Sequence, residues 1–251
     1  MYITNKTRRP HIMPIFLDKI VITEVHSHRD LGLIISNNLS WKEHINCIIE
    51  KALKRLNVIS RYRELLPRSV LVNLYITMVR PVLEYCNIIY DNSPAYLKIK
   101  LENVQRRAAL LCTGAYRHTE SKRLLNELCW KSLGERRLEH KLVQFYKIIN
   151  NIYPTYLKNL IPQLNVPLYN FRTVQQYKIP ILRLTNSAQS FFPATSKVWN
   201  NLSPPIRNAP TLPNFKRLIS GNKFQPNKYY NACSGEKGKM ADTSKIRSER
   251  T

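Results

Sequence analysis

The chain reads as mainly α: a short N-terminal β-hairpin, a helical bundle, then an irregular Pro-rich α+β region and a disordered tail. Three observations predict this order. Two β-branched runs lie within the first 36 residues, apolar residues recur at helical spacing between residues 40 and 151, and beyond residue 151 proline becomes frequent while that period fades.

Taken in order, residues 19–25 (KIVITEV) and 31–35 (LGLII) are strand-like runs joined by a polar turn, the expected hairpin. Gly32 inside the second run marks a bulge or a close backbone approach. Ser40 and Glu43 have capping-box spacing and open a helix whose stripe is Ile45, Ile48, Ile49, Ala52, Leu53 and Leu56. A second helix is expected over 68–79, burying Val70, Leu71, Leu74, Tyr75 and Met78, with Pro81 interrupting it so that the chain kinks or restarts over 82–90. Ser93-Pro94 reads as N-cap and first turn of a third helix, with Leu97, Leu101, Val104, Ala108 and Leu111 as its stripe and Gly114 as its stop. A short helix over 120–129 comes next. Ser132 and Glu135 then form another capping box, leading a helix with Leu138, Leu142, Tyr146 and Ile149 in register. Downstream, 173–177 and 179–184 are candidate strands, with Pro180 restricting the latter to an edge, and 194–202 and 213–219 are candidate short helices. From Ser220 the Gly/Ser/Lys-rich sequence predicts disorder.

Charge is the dominant compositional fact. The chain carries 40 Lys/Arg against 16 Asp/Glu, a formal charge of +24. Residues 141–230 contain 12 Lys/Arg and no Asp or Glu, so that segment cannot neutralise itself locally. Such an excess points to a polyanion, because phosphate contacts release condensed counterions. Two clusters stand out: Lys54, Arg55, Arg61, Arg63 and Arg68 around the end of the first helix, and Arg106, Arg107, Arg117, Lys122 and Arg123 around the third and fourth. Arg172 and Lys178 extend the set downstream. Backbone-tracking contact with phosphates is the functional reading; solubility and pairing with Glu50, Glu64 or Glu102 is the plain alternative.

Other chemistries find little support. The five cysteines are irregularly spaced, and neither His26-x-His28 nor Cys112 with His118 has zinc-ligand spacing on both arms. The chain contains no G-x-S-x-G, H-E-x-x-H or P-loop, and its acids are dispersed. Asp30 reads as a turn or capping acid. Trp41, Trp130 and Trp199 read as core; Tyr229-Tyr230 could stack on bases. No targeting signal or membrane span is apparent, and the cysteine usage fits an intracellular protein, nuclear or cytoplasmic.

Residues 31–45 (LGLIISNNLSWKEHI), 79–85 (VRPVLEY), 101–114 (LENVQRRAALLCTG) and 130–137 (WKSLGERR) occur in an order continued by 153–157 (YPTYL), 190–193 (SFFP) and 198–205 (VWNNLSPP). Together these blocks resemble the region after the catalytic palm in reverse transcriptases of non-LTR retrotransposons, especially the jockey-like LINE group, over roughly residues 3 to 219. The resemblance implies a palm remnant with its hairpin at 1–36, a thumb-like helical domain at 37–151, a basic connection region at 152–219 and a disordered tail at 220–251. It also implies that Leu31, Gly32 and Leu33 belong to a primer-grip-like hairpin. The family polymerises DNA on Mg²⁺ held at a Tyr/Phe-x-Asp-Asp motif, and no Asp-Asp pair occurs in this sequence. The resemblance thus implies a truncated RNA-directed DNA polymerase fragment with no cofactor of its own, inactive alone, that binds RNA and DNA as element RNA or template–primer duplex. A relic of a decayed element and a host-adopted nucleic-acid-binding protein remain the alternatives. Residues 232–251 depart from the family pattern, and the oligomeric state is not legible.

Overall fold

The computed structural model describes Met1, Ile3 and residues 13–165, 176–183 and 185–221; it is mostly helical, with short antiparallel strand pairs. Strand β1 (Phe16–Leu17) pairs with β2 (Ile20–Val21), and β3 (Ser27–Asp30) pairs with β4 (Leu33–Ser36). The expected pairing of 19–25 with 31–35 is therefore corrected. Leu31 and Gly32 have φ of +44° and +87°, which makes a two-residue connection that pairs the residues directly flanking it. Gly32 thus sits in the turn, not within a strand. A Cβ there would lie 3.5 Å from the Tyr85 ring, whose hydroxyl donates to the Leu31 carbonyl at 2.6 Å.

Helix α1 (Lys42–Arg61) buries Ile45, Ile48, Ala52, Leu56 and Ile59 along the expected stripe. Its expected capping box does not form. Trp41 occupies the N-cap, and the Ser40 N–H is taken by Asn38 Oδ1 at 2.9 Å, so a local Asn turn wins over the reciprocal cap. Next, α2 (Arg68–Leu74), a wide π-type turn (Tyr75–Val79) and α3 (Arg80–Glu84) run on as one bent rod. The wide turn accommodates Pro81, which has no N–H and would crowd a regular helix. Widening moves the buried line to Leu71, Tyr75, Val79 and Leu83, leaving Val70 and Met78, expected inside, at 36% and 43% exposure.

Helix α4 (Ala95–Thr113) starts at Pro94 rather than Ser93 and stops where expected, at Gly114 in the left-handed region, whose N–H bonds the Leu110 carbonyl. Helix α5 (Ser121–Glu127) is short. Helix α6 (Leu133–Ile149) carries the predicted capping box intact: Ser132 Oγ accepts from the Glu135 N–H at 3.1 Å and Glu135 Oε2 from the Ser132 N–H at 2.8 Å. Two further α6 donors are met from α4, Leu133 by Gln105 and Glu102, and Gly134 by Glu102 Oε1 at 2.8 Å. Placing a carboxylate at a helix N-terminus is also favoured by the helix dipole.

Two apolar cores result. The first joins α1, the bent rod and α4, with Tyr75 stacked on Trp130 at 4.3 Å. The second begins within α6, upstream of residue 151: Leu138, Leu142, Phe145 and Tyr146 meet Val198 and Trp199 of α8 (Phe191–Asn200), Ile206 of α9 (Pro204–Arg207), and Phe215 and Ile219 of α10 (Leu212–Gly221). Tyr146 stacks on Phe215 at 4.3 Å and donates to the Ala209 carbonyl at 2.8 Å. A four-residue helix α7 (Thr185–Ala188) precedes α8. Among the described residues of the expected downstream strands, Gln176–Tyr177 (β6) pairs with Leu164–Asn165 (β5), and residues 179–183 are irregular. Helix α10 continues through Ser220, and the expected tail beyond it lies outside the described residues, as does part of the 173–177 run.

A buried ionic centre ties these layers together. Asp91, in the loop before α4, has a side chain only 2% exposed; it contacts Arg137 at 3.2 Å, Lys98 at 3.7 Å, and Lys141 more closely still. Arg137 also faces Glu102 at 3.9 Å. Beside it, Arg136 grips both oxygens of Glu84, and Asn87 bonds His140. Burial alone would raise the Asp91 pKa, but Lys141, Lys98 and Arg137 outweigh it and hold the carboxyl at about 2. Glu102 moves the opposite way, raised mainly by burial.

Asp91→Asn is expected to cost about 3–5 kcal/mol at pH 7, the usual consequence of leaving buried cations without their partner. Because the folded pKa of Asp91 lies below its ordinary 3.8, its contribution is present above that value and lost as pH falls toward 2. Denaturant unfolding of both proteins should therefore show the difference between them shrinking from pH 5 to pH 2; a pH-independent difference would contradict this assignment.

Candidate nucleic-acid interface

Helices α1 and α4 lie side by side and end together, and their common end gathers residues from both predicted basic clusters. A cavity of about 220 Å³ opens there, floored by Leu56, Leu110 and Leu111 and rimmed by Arg63, Arg107 and Arg117. Arg63 reaches over Gly114: its Nη2 lies 3.2 Å from where a Cβ on that residue would stand. Arg107 is braced by Asn57 Oδ1 at 2.9 Å, and Arg106 turns away from the rim to hold the following loop, donating to the Arg117 carbonyl at 2.6 Å and to that of Thr119 at 3.1 Å. One of the paired arginines is thus a brace and the other a rim residue. Each guanidinium carries five N–H donors, so a single bond to Asn57 leaves Arg107 able to receive an anion.

The remaining predicted contacts divide in the same way. Arg55 donates to the Met78 carbonyl at 2.6 Å, within the wide turn before Pro81. Arg68 pairs with Glu127 at 2.8 Å; both side chains are nearly half exposed, so the pair is weak and open to exchange. Lys54, Arg61, Lys122 and Arg123 are exposed and make no ion pair among the described residues. Lys178 lies apart, beside Pro162, Pro180 and Phe192 on a second surface cavity, and Arg172 lies outside the described residues.

The primer-grip-like residues sit at the other end of α1. Leu31 and Gly32 form the hairpin tip, Leu31 being 84% exposed, while Leu33 is buried where β4 meets α1. The Ile34 N–H points at His44 Nδ1 at 3.4 Å, and burial lowers the pKa of that histidine. From His44 to Arg61 the helix rises about 25 Å at ~1.5 Å per residue, so hairpin and arginine rim mark the two ends of one face-forming rod.

Five of the ten acids between residues 37 and 151 are occupied away from these cations. Glu84, Asp91, Glu102 and Glu139 are held by Arg136, Arg137, Lys141 and Lys131, and Glu102 and Glu135 also cap α6. Glu102, considered a partner for the surface arginines, is instead held by Arg137 and the first turn of α6. Each of these carboxylates is thus engaged by a cation or by the N-terminus of α6. Two residues went unread as contacts in the sequence: Tyr116, 79% exposed, and His118, exposed, whose rings lie 5.8 Å apart on either side of Arg117. Their signal was local, an aromatic beside an arginine just past a helix-ending glycine.

Arg106→Leu is expected to free the 115–120 loop by removing two charge-assisted bonds, each worth about 1.5–3 kcal/mol. Hydrogen exchange at those amides should quicken by about tenfold or more, while the protected interior of α6 is unchanged. Comparison of the chain with protein-family models, with curated proteins and with solved structures returns no match, so the functional reading rests on this geometry, the charge and the sequence blocks.

Proposed function

We propose that this chain is the nucleic-acid-binding, post-palm part of a LINE-type reverse transcriptase. In this reading residues 37–151 act as a thumb-like bundle that holds template–primer duplex or element RNA, inside the cell, and 152–219 form a basic connection region. The Asp-Asp carboxylates and their Mg²⁺ belong to the complete polymerase. The observation that carries the proposal is the partition of charge: five of the ten acids between residues 37 and 151, Glu84, Asp91, Glu102, Glu135 and Glu139, are taken up by ion pairs and the α6 cap, while Lys54, Arg61, Arg63, Arg107, Lys122 and Arg123 remain exposed. A duplex backbone is a row of phosphates, and cations spread along α1, α4 and α5 match it without reading bases.

One observation favours the second reading, a remnant without selected activity. Met13, Ile15, Phe16, Leu17 and Ile20 are all more than half exposed, an apolar surface that invites association in an isolated chain. The two readings part in a binding experiment. A binding module should hold a 20-base-pair RNA–DNA duplex with an affinity that falls steeply between 50 and 200 mM salt. Replacing Lys122 and Arg123 by Gln should flatten the plot of log affinity against log salt by about 2, roughly one unit per lost phosphate contact, without changing the melting temperature. Arg136→Gln should do the reverse, lowering stability and leaving the slope alone. Absence of salt-sensitive binding by the intact chain would favour the remnant.

A further inference from the structure

The cavity between α1 and α4 differs from the rest of the basic face in shape and chemistry. A duplex backbone asks for cations on an open surface. Here Arg63, Arg107 and Arg117 line one recess of about 220 Å³ together with Leu56, Leu110 and Leu111. The recess is also preorganised: Asn57 braces Arg107, and Arg106 pins the loop carrying Arg117 through two backbone carbonyls. Directly beside it, Tyr116 and His118 present their rings to solvent at 5.8 Å from one another. Tyr116 is 79% exposed, so packing in the core does not account for it.

Resting on the proposed nucleic-acid reading, we infer that this recess and the Tyr116 ring form a site for one unpaired nucleotide. The phosphate sits between Arg63, Arg107 and Arg117, the sugar rests on Leu110 and Leu111, and the base stacks on Tyr116. An aromatic face takes any base, so the site is sequence-tolerant; it needs the base free of a partner strand, because a paired base keeps its faces inside the helix. The chain therefore has two modes: the open basic face tracks duplex, and this recess holds a single-stranded segment or end.

The test compares a fluorescein-labelled 12-nucleotide mixed-sequence DNA with the same strand in a duplex, by anisotropy on the full chain. Tyr116→Ala removes no charge and, at an exposed position, leaves the fold intact, as circular dichroism would verify. The expected result is a loss of about tenfold or more in single-strand affinity, no change for duplex, and recovery in Tyr116→Phe. Arg117→Gln should weaken single-strand binding as well. Competition separates the two sources of the same chemistry: adenosine monophosphate displacing the oligonucleotide at millimolar levels, in the wild type but not in Tyr116→Ala, would mark a self-sufficient nucleotide site. Displacement only by longer strands would mark a site that acts within a polymer. Wild-type binding that Tyr116→Ala leaves unaltered for both nucleic acids overturns the recess and spares the broader proposal. No binding of either nucleic acid by the wild type overturns both.

Discussion

Everything in the bundle depends on the neutralisation of Asp91. A carboxylate removed from water is costly, and so are the Lys and Arg groups buried with it; the arrangement holds because Arg137, Lys141 and Lys98 approach from two helices at once. Asp91 is the one carboxylate that these three cations share, so the centre favours the packing of α4 against α6 in which they meet. Its main physical product is specificity. The loop before α4 must sit where Asp91 meets α6, and Trp41, whose indole N–H bonds Asn92 at 2.8 Å, is drawn to that same loop from the start of α1.

Helix α6 turns that local constraint into a longer-range one. Its first turn is capped by Ser132, Glu135, Glu102 and Gln105, its middle supplies the cations of the ionic centre, and its last turns form half of the second core. A helix that serves three environments in sequence cannot rotate to improve one without losing another. The second core is accordingly built to its register, with Tyr146 both stacking on Phe215 and bonding the Ala209 carbonyl.

The same constraint shapes the surface. Net charge describes the chain as a whole, but a field at the surface depends on which charges are compensated within. Lys141, counted in the acid-free segment, is buried against Asp91, whereas Arg61 and Lys122 are exposed. Interior pairing takes Glu84, Asp91 and Glu139 away from the surface, while Glu43 and Glu50 on α1 and Glu127 on α5 stay exposed among the cations.

Much of the helical layout was legible because it is local. The stripes of α1, α4 and α6 arise from period, and the Ser132–Glu135 box and the Gly114 stop arise from short-range hydrogen bonding and the conformational freedom of glycine. The misread details arose where two local signals competed: Asn38 against the Ser40 box, or the Leu31-Gly32 turn against a continuous β-branched run. Tertiary structure alone decided the rest. Sequence spacing cannot tell that Asp91 and Lys141, fifty positions apart, meet in the interior, or that Arg106 braces a loop while its neighbour Arg107 faces a recess. Identical side chains take opposite roles there because the packing of α1 on α4 sets which points inward, and that packing is a long-range property. Period determined a mainly helical chain and composition a large positive excess; the fold determined where that excess stands in water.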